Sequence, residues 1–273
     1  MLFPQKDVPK AALKWYNGPT MMLKRIFSRA RFTDKFKEKS EESKKDLGYE
    51  EQISKTFFSD EKLKDMMEER EKVTKKEFNE GYNIIKKHPR SVSVFGSTRF
   101  TEKNRYYQEA RSLANRIARE LKYAVVTGGG PGIMEAANRG AYEAGGISIG
   151  FTIKLPKEQF TNRYVTDSVS FEYFMTRKTL LFFSAECYVF YPGGFGTFDE
   201  LFDVLTSIQT RKVAKAPVIL VGKKFWTPLL ELIEKVLFND NHTIGKEDME
   251  IYRIVDSEDE AMEIIRKAPV KKE

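Results

Sequence analysis

Residues 191–200 read YPGGFGTFDE, with glycines at three of four successive positions between an apolar run and a stretch typical of a helix. The helix is expected to begin near Thr197 and carries two adjacent carboxylates, Asp199 and Glu200. Glycine lets a backbone approach a ligand closely. A helix start offers unpaired N–H groups and the positive end of the helix dipole. The stretch therefore predicts a turn that holds an anion, with acidic side chains next to it.

A second stretch of the same kind, VVTGGGPGIMEAA, occupies residues 125–137. It also has an apolar strand-like run, then glycines, then a helical pattern. One glycine-rich turn can be a tight turn and nothing more. Two such turns, each after a strand and each opening a helix, favour a phosphate-binding site.

The pattern around these two stretches predicts the fold class. From SVSVFGS at residues 91–97 to EDEAMEIIRK at residues 258–267, short β-rich runs alternate with amphipathic helical segments. Several of the strand-like runs are apolar on both faces, as buried parallel strands are. We expect an α/β protein with a doubly wound, mostly parallel sheet flanked by helices. In such sheets ligands bind beyond the carboxyl ends of the strands, where both glycine stretches would lie.

The character of the chain changes near His88-Pro89. Residues 1–90 hold 22 Lys and Arg against 16 Asp and Glu, a net charge of +6, whereas residues 91–273 hold 25 against 24, or +1. Apolar residues at three- and four-residue spacing predict a long helix that ends near Lys87. We therefore predict a charged, mostly helical N-terminal extension over residues 1–90 and a nucleotide-binding catalytic domain over residues 91–273.

Composition narrows the possible functions. The hydrophobic content of 41% is enough for a core, and no apolar run reaches the roughly 18 residues of a membrane span. The chain has one cysteine, Cys187, and two histidines, His88 and His242, far apart in sequence. We expect no metal site, no cofactor and a reducing, cytoplasmic location. Cys187 falls within a strand and is interpreted as inert core.

Two common nucleotide motifs are missing. The first strand ends in VFGSTRF, which lacks the G-x-G-x-x-G fingerprint, and no glycine precedes Lys and then Ser or Thr as in a P-loop. Hydride transfer and NTP hydrolysis are therefore disfavoured, and a mononucleotide is the expected ligand.

The segments GGGPGIMEAANRGA and PGGFGTFDE, with MTRK upstream of the second, resemble the LOG family, in particular its longer bacterial members. The family motif P-G-G-x-G-T-x-x-E is present without a departure, and the resemblance runs from about Glu77 to about Phe238. It implies a Rossmann-like fold, a homodimer or larger homo-oligomer, and phosphoribohydrolase activity on AMP or cytokinin-type nucleotides. An older family label, lysine decarboxylase, is not adopted because no pyridoxal-phosphate lysine motif is evident.

The resemblance also implies roles for individual residues. Glu200 is the candidate that stabilises positive charge on ribose or activates water, and Arg177 is the second catalytic candidate. Asp199 and Glu135 could instead complement a helix dipole. The predicted substrate-binding residues are Ser97, Gly129, Gly130, Glu135, Glu158, Lys178, Gly193, Gly194, Phe195, Gly196, Thr197, Asp199 and Thr206.

Two other readings stay open. The same loops could hold a nucleotide-like or molybdenum-cofactor-like group in a non-catalytic carrier. The basic N-terminal third could bind nucleic acid or a membrane, although its interleaved charges favour a solvated helical face. The motifs do not distinguish AMP from a cytokinin or pyrimidine nucleotide.

Overall fold

The computed structural model describes residues 60–155 and 160–269. The chain divides into two units, residues 1–67 and 68–273. Of the first unit only residues 60–67 are described, and they form the start of a helix. Residues 1–59 of the predicted N-terminal extension lie outside the described residues, and apart from the start of that helix everything below concerns the second unit.

Seven strands form one sheet. The strands are β1 Ser91–Phe95, β2 Ala124–Thr127, β3 Ser148–Ile153, β4 Asp167–Phe171, β5 Ala185–Phe190, β6 Val218–Val221 and β7 Tyr252–Val255. Their order in the sheet is β4-β3-β2-β1-β5-β6-β7. All six neighbouring pairs are parallel, which confirms the predicted doubly wound sheet.

Seven α-helices accompany the strands within the described residues. They are α1 Asp60–Lys87, α2 Arg105–Arg116, α3 Ile133–Glu143, α4 Phe174–Phe183, α5 Phe195–Gln209, α6 Lys223–Leu232 and α7 Glu258–Arg266. Wider π-helical turns extend α2 over Ile117–Leu121 and α6 over Ile233–Asp240, and a 3-10 helix spans Lys246–Glu250. In the described ranges, each helix is too short or too polar to cross a membrane.

The core has two layers, one on each face of the sheet. Successive strand residues point to opposite faces, so in β5 Cys187 and Val189 pack beneath α2, α3 and α7. Tyr188 and Phe190 pack on the other face, against α4, α5 and α6. Burial raises the pKa of the Cys187 thiol, which agrees with its interpretation as inert core.

The second half of α1 packs on the layer that contains α4. Phe78, Tyr82 and Ile85 lie against its buried residues, and Glu77 is itself buried. The boundary predicted near residue 90 stays a prediction, but these contacts attach residues 77–85 to the sheet.

The side of the sheet on which successive strands are added changes between β1 and β5, although all strands stay parallel. From β1 the chain adds β2, β3 and β4 on one side, and α4 then returns it to β5 on the other side of β1. At such a switch point the loops that leave the two central strands diverge and open a crevice at their carboxyl ends.

Candidate active site

A cavity of about 1220 Å³ lies at this switch point. It is lined by the loop after β1, by Gly128 after β2, by residues 192–197 after β5, and by the starts of α4 and α6. Ligand pockets commonly measure about 300–1,000 Å³, so the space is ample for a small molecule. The charged side chains that line it are four cations and two carboxylates, an excess of positive charge that suits an anionic ligand. They are Arg99, Arg177, Lys178, Lys224, Asp199 and Glu200.

The first glycine loop, residues 128–132, joins β2 to α3. Gly132 has φ of 73° and precedes the helix. A Cβ there would overlap the backbone of Ser97 and Thr98. This close approach lets the N–H of Ile133 donate to the carbonyl of Ser97 at 3.0 Å. The start of α3 is thereby fixed against the loop that leaves β1.

A buried amide holds the first glycine loop in shape. Asn138 on α3 accepts hydrogen bonds from the hydroxyl of Thr127 at 2.6 Å and the amide of Asn162 at 2.9 Å. Thr127 in turn accepts from the N–H of Gly129, and Asn162 donates to the carbonyls of Gly129 and Gly130. Since all these groups are paired, the network specifies one conformation of the loop.

The second glycine loop, residues 192–197, includes the first residues of α5, which begins at Phe195 and not near Thr197 as the sequence predicts. It differs from the first loop in what its glycines contact. A Cβ on Gly193 would overlap the side chain of Thr197. A Cβ on Gly194 or Gly196 would meet no atom within 4 Å, and both residues line the cavity. Gly194 is the N-cap residue of α5 and makes no side-chain capping hydrogen bond. The first N–H groups of α5 therefore donate to no capping side chain. Within this loop, packing against the protein therefore requires glycine at position 193, whereas positions 194 and 196 have space for a side chain.

Arg177 and Glu200 meet inside the cavity. The Arg177 side chain is 9% exposed and that of Glu200 is 14% exposed, with 3.4 Å between Nη1 and Oε1. The Nε of Arg177 donates to the carbonyl of Phe151 at 2.7 Å, and a Cβ on Gly128 would overlap the guanidinium. Phe151 in β3, Gly128 after β2 and Glu200 on α5 thus hold the guanidinium in one orientation.

Burial dominates the electrostatics of this pair. Desolvation raises the pKa of Glu200, against the opposing effect of Arg177 and Lys178. Desolvation also lowers the pKa of Arg177, although Glu200 opposes it. Each charge is therefore less stable than in water, and an ionised substrate group that approached either one would interact with it strongly.

Lys178 is held by two carboxylates. Its Nζ lies 2.6 Å from Asp199 and 2.7 Å from Asp203. Desolvation lowers the pKa of Lys178, but the hydrogen bonds and charges of the two carboxylates together outweigh it, so the pKa is raised. Asp199, one residue before Glu200, is thus part of an ion pair, which gives it a second interpretation besides complementing the helix dipole.

The cavity brings together most of the predicted residues. They are Ser97, Arg177, Lys178, Gly193, Gly194, Phe195, Gly196, Thr197, Asp199 and Glu200. Phe195 is 97% exposed. Ser97 accepts a hydrogen bond from the N–H of Arg99.

Five of the predicted residues lie elsewhere or cannot be placed. Gly129 and Gly130 are buried under Asn162, and Gly128 lines the cavity instead. Glu135 accepts from the hydroxyl of Tyr107. Thr206 is exposed on α5 beyond the cavity lining. Glu158 lies outside the described residues.

Other lining residues were not predicted. Arg99 follows Ser97 by two positions, so its place after the first strand was a usable signal. Lys224 and Phe225 lie at the start of α6, whereas the helical pattern of TPLLELIEKVLF predicts a start at Thr227. The helix starts earlier because Gly222 adopts φ of 102° and Asp256 accepts from the N–H of Lys223 at 2.7 Å.

A parallel sheet with two glycine loops at its switch point places the protein among Rossmann-like α/β proteins. A family model described as "possible lysine decarboxylase" matches residues 134–265. Among curated proteins, cytokinin riboside 5′-monophosphate phosphoribohydrolase of Rhodococcoides fascians is 30% identical over 152 residues, which cover 54% of this chain and 75% of the relative. LOG2 of Arabidopsis thaliana, also named a cytokinin riboside 5′-monophosphate phosphoribohydrolase, is 26% identical over 149 residues, which cover 54% of this chain and 70% of the relative.

The chain belongs to the LOG family. Solved structures with a similar backbone trace include the molybdenum cofactor binding protein of Rippkaea orientalis. It is 23% identical, with a TM-score of 0.48, over 65% of this chain and 94% of that chain. The molybdenum cofactor carrier protein of Chlamydomonas reinhardtii shows 24% identity and a TM-score of 0.48 over 66% and 99%. The fold assignment rests on the strand order, because both TM-scores are below 0.5.

Proposed function

We propose that the protein hydrolyses the N-glycosidic bond of nucleoside 5′-monophosphates, AMP or cytokinin-type nucleotides, to the free base and ribose 5-phosphate. The observation that carries this proposal is the buried Arg177–Glu200 pair, which lies in the same cavity as the open start of α5. The start of α5 suits the phosphate, and the Arg177–Glu200 pair suits the reacting carbon. The named activities of the relatives support the same reaction.

The second glycine loop is the proposed phosphate site. Gly194 and Gly196 leave open space where a side chain would stand, so phosphate oxygens can approach the backbone N–H groups at the start of α5. The helix dipole favours the negative charge there. The cationic majority among the lining side chains adds a general attraction for the anion.

Glu200 is the proposed catalytic carboxylate. As the bond from C1′ to the base nitrogen breaks, its electron pair leaves with the base and positive charge develops on the ribose. The ionised Glu200 stabilises that charge or takes a proton from the water that adds to C1′. Burial strengthens this interaction because little solvent screens it.

Arg177 is the proposed partner for the leaving side of the reaction. Its Nε is committed to Phe151 and one Nη lies near Glu200, so the guanidinium is already oriented before substrate binds. A fixed guanidinium can donate to the departing base or to a phosphate oxygen. Lys178, which lines the same cavity, is proposed as a substrate contact.

We also propose that the protein is a homodimer or higher homo-oligomer in the cytoplasm. Helices α4 and α5 carry large apolar side chains that are exposed in the single chain, among them Phe174, Met175, Phe183 and Phe202. A second copy would cover such residues. Light scattering after gel filtration measures the assembly, and a monomer at micromolar concentration contradicts this part of the proposal.

The choice of substrate tests the role of the phosphate. We expect AMP to release adenine and adenosine to release none at a comparable rate, because the nucleoside lacks the group that binds the second glycine loop. The measurement is free base by chromatography over a panel of nucleosides and nucleoside monophosphates. Equal kcat/KM for adenosine and AMP rules out the phosphate site.

Replacing Glu200 by Gln tests the chemistry. The amide keeps the shape but removes the charge, so kcat should fall by at least about 10², while AMP affinity by calorimetry changes less than about tenfold. The matched control is Asp199→Asn, which should cost much less because Asp203 still pairs with Lys178. AMP binding without base release in the unmodified protein would favour the carrier alternative.

A further inference from the structure

Glu77 on α1 is a buried carboxylate that contacts the start of a different helix. It is 3% exposed. One carboxylate oxygen accepts from the backbone N–H of Glu172 and the other from the hydroxyl of Thr176. Both donors belong to the segment in which β4 ends and α4 begins, about 95 residues later in the chain.

The start of α4 has no cap of its own. Its N-cap residue, Tyr173, makes no side-chain capping bond, and the first turn holds no acidic residue. An anion near a helix start satisfies unpaired donors and complements the helix dipole. Glu77 places its carboxylate at this helix start from outside the helix and holds the turn through the N–H of Glu172, just before the N-cap, and the hydroxyl of Thr176.

This first turn also carries the candidate catalytic arginine. Thr176 is completely buried and the next residue, Arg177, is 7% exposed. The guanidinium lies between Phe151 and Glu200, so a small displacement of the turn would move Arg177 relative to Glu200. Lys178 would move with it, away from Asp199 and Asp203.

Packing between α1 and α4 holds α1 in the position from which Glu77 reaches the start of α4. A Cβ on Gly81 would overlap the side chain of Leu180 on α4, so the absence of a side chain at residue 81 lets the two helices pack closely. Tyr82 contacts Phe183 edge-on at 5.4 Å between ring centroids, and Arg70 lies over the ring of Tyr173 at 4.8 Å. The two helices therefore contact each other along several turns.

We propose that Glu77 is a positioning residue for catalysis: through Glu172 and Thr176 it sets the first turn of α4 and hence the place of Arg177 and Lys178. This inference rests on the proposed hydrolysis. It assigns a catalytic consequence to a helix that lies outside the family motifs and contributes no side chain to the cavity lining.

The experiment compares three variants of the full chain with the unmodified protein. Glu77→Ala leaves the two donors unpaired, and kcat for AMP should fall at least about tenfold, since small misplacements cost up to about 10² in rate. KM should change less than about fivefold, because the phosphate binds at α5. Hydrogen exchange over residues 172–178 should become faster.

Glu77→Gln is the conservative variant. Its amide oxygen can accept from Glu172, and its NH2 can donate to Thr176, whose own hydroxyl proton can go to the carbonyl of Tyr173 at 2.9 Å. We expect kcat within about threefold of the unmodified protein. Tyr82→Ala is the control for packing alone: it should lower the thermal midpoint but leave kcat and the exchange over residues 172–178 unchanged.

The outcomes separate this proposal from the proposed function. If Glu77→Ala keeps kcat within threefold, or if Tyr82→Ala lowers kcat equally, Glu77 has only a structural role and the inference is overturned. If the unmodified protein releases no base, the proposed function fails, and hydrogen exchange decides: faster exchange in Glu77→Ala, restored in Glu77→Gln, supports the positioning of α4, and unchanged exchange overturns it.

Discussion

Burial and charge act in opposite directions on Glu200. Desolvation raises the pKa of this carboxyl, and Arg177 and Lys178 reduce the rise without cancelling it. The carboxylate must be ionised to stabilise a cationic ribose. The rate of base release should therefore fall as the pH drops through the raised pKa of Glu200, above the ordinary glutamate value of about 4.3.

The pH profile of kcat for AMP measures this effect, with Glu200→Gln as the comparison. The variant has no carboxyl at this position, so its low residual rate should lack the acidic limb. A limb at the ordinary glutamate value, or one that persists in the variant, would assign the ionisation to another group.

Single residues were predictable from the sequence when they stood in a motif. Glu200 and Arg177 were identified from PGGFGTFDE and MTRK, and the structure brings them within 3.4 Å. Glu77 was not, because one glutamate in a lysine- and glutamate-rich helix looks like every other one. Its burial depends on α4, about 95 positions away, which no local pattern contains. Asn138 was missed although it stands in GGGPGIMEAANRGA, because its role depends on Thr127 and Asn162, which belong to other segments of the fold.

At the scale of the strand–loop–helix element, the glycines of the second loop divide into two kinds. Gly193 is required by contact with Thr197, whereas Gly194 and Gly196 face open space in the cavity. We expect Gly194→Ala and Gly196→Ala to fold with a thermal midpoint close to that of the unmodified protein. AMP affinity should fall at least about tenfold, about 1.4 kcal/mol, because each methyl group occupies phosphate space.

Gly193→Ala is the matched control within the same loop. It should lower the free energy of unfolding by about 1–3 kcal/mol, as is typical of overpacking, and with it the thermal midpoint, because Thr197 must shift. Calorimetry with AMP and thermal melts on the three variants separate the two kinds. Unchanged AMP binding in both Gly194→Ala and Gly196→Ala would move the phosphate away from this loop.

Element boundaries were predictable where local chemistry sets them. The end of α1 at Lys87 and the alternation of strands and helices follow from hydrophobic spacing. The start of α6 was placed too late because Thr227-Pro228 resembles a capped helix start. The true start depends on Asp256, 33 residues downstream, and proline is accommodated inside the helix.

At the scale of the whole molecule, the position of the cavity was predictable although the strand order was not. Both glycine loops follow strands, and parallel strands present their carboxyl ends at one edge, so the loops had to share that edge. Which strands are neighbours depends on packing between distant segments. The insertion of β5 beside β1, which creates the switch point, is such a long-range outcome.

The domain boundary predicted at residue 90 can be tested with fragments of the chain. Removing residues 68–90 takes Glu77, Phe78 and Tyr82 away from the layer that contains α4. It uncovers Leu180 and leaves the N–H of Glu172 unpaired. Each buried donor left unpaired costs about 1–3 kcal/mol. We therefore expect a 91–273 fragment to melt at least about 5 °C below a 68–273 fragment.

Thermal melts and AMP turnover of the two fragments and of the full chain decide where the catalytic unit begins. If 68–273 matches the full chain and 91–273 melts earlier and turns over AMP more slowly, α1 belongs to the catalytic unit. Because Glu77 contacts the turn that carries Arg177, activity should fall further than stability alone explains when both fragments are assayed well below their midpoints. Equal midpoints and equal turnover would instead establish residues 91–273 as the complete domain.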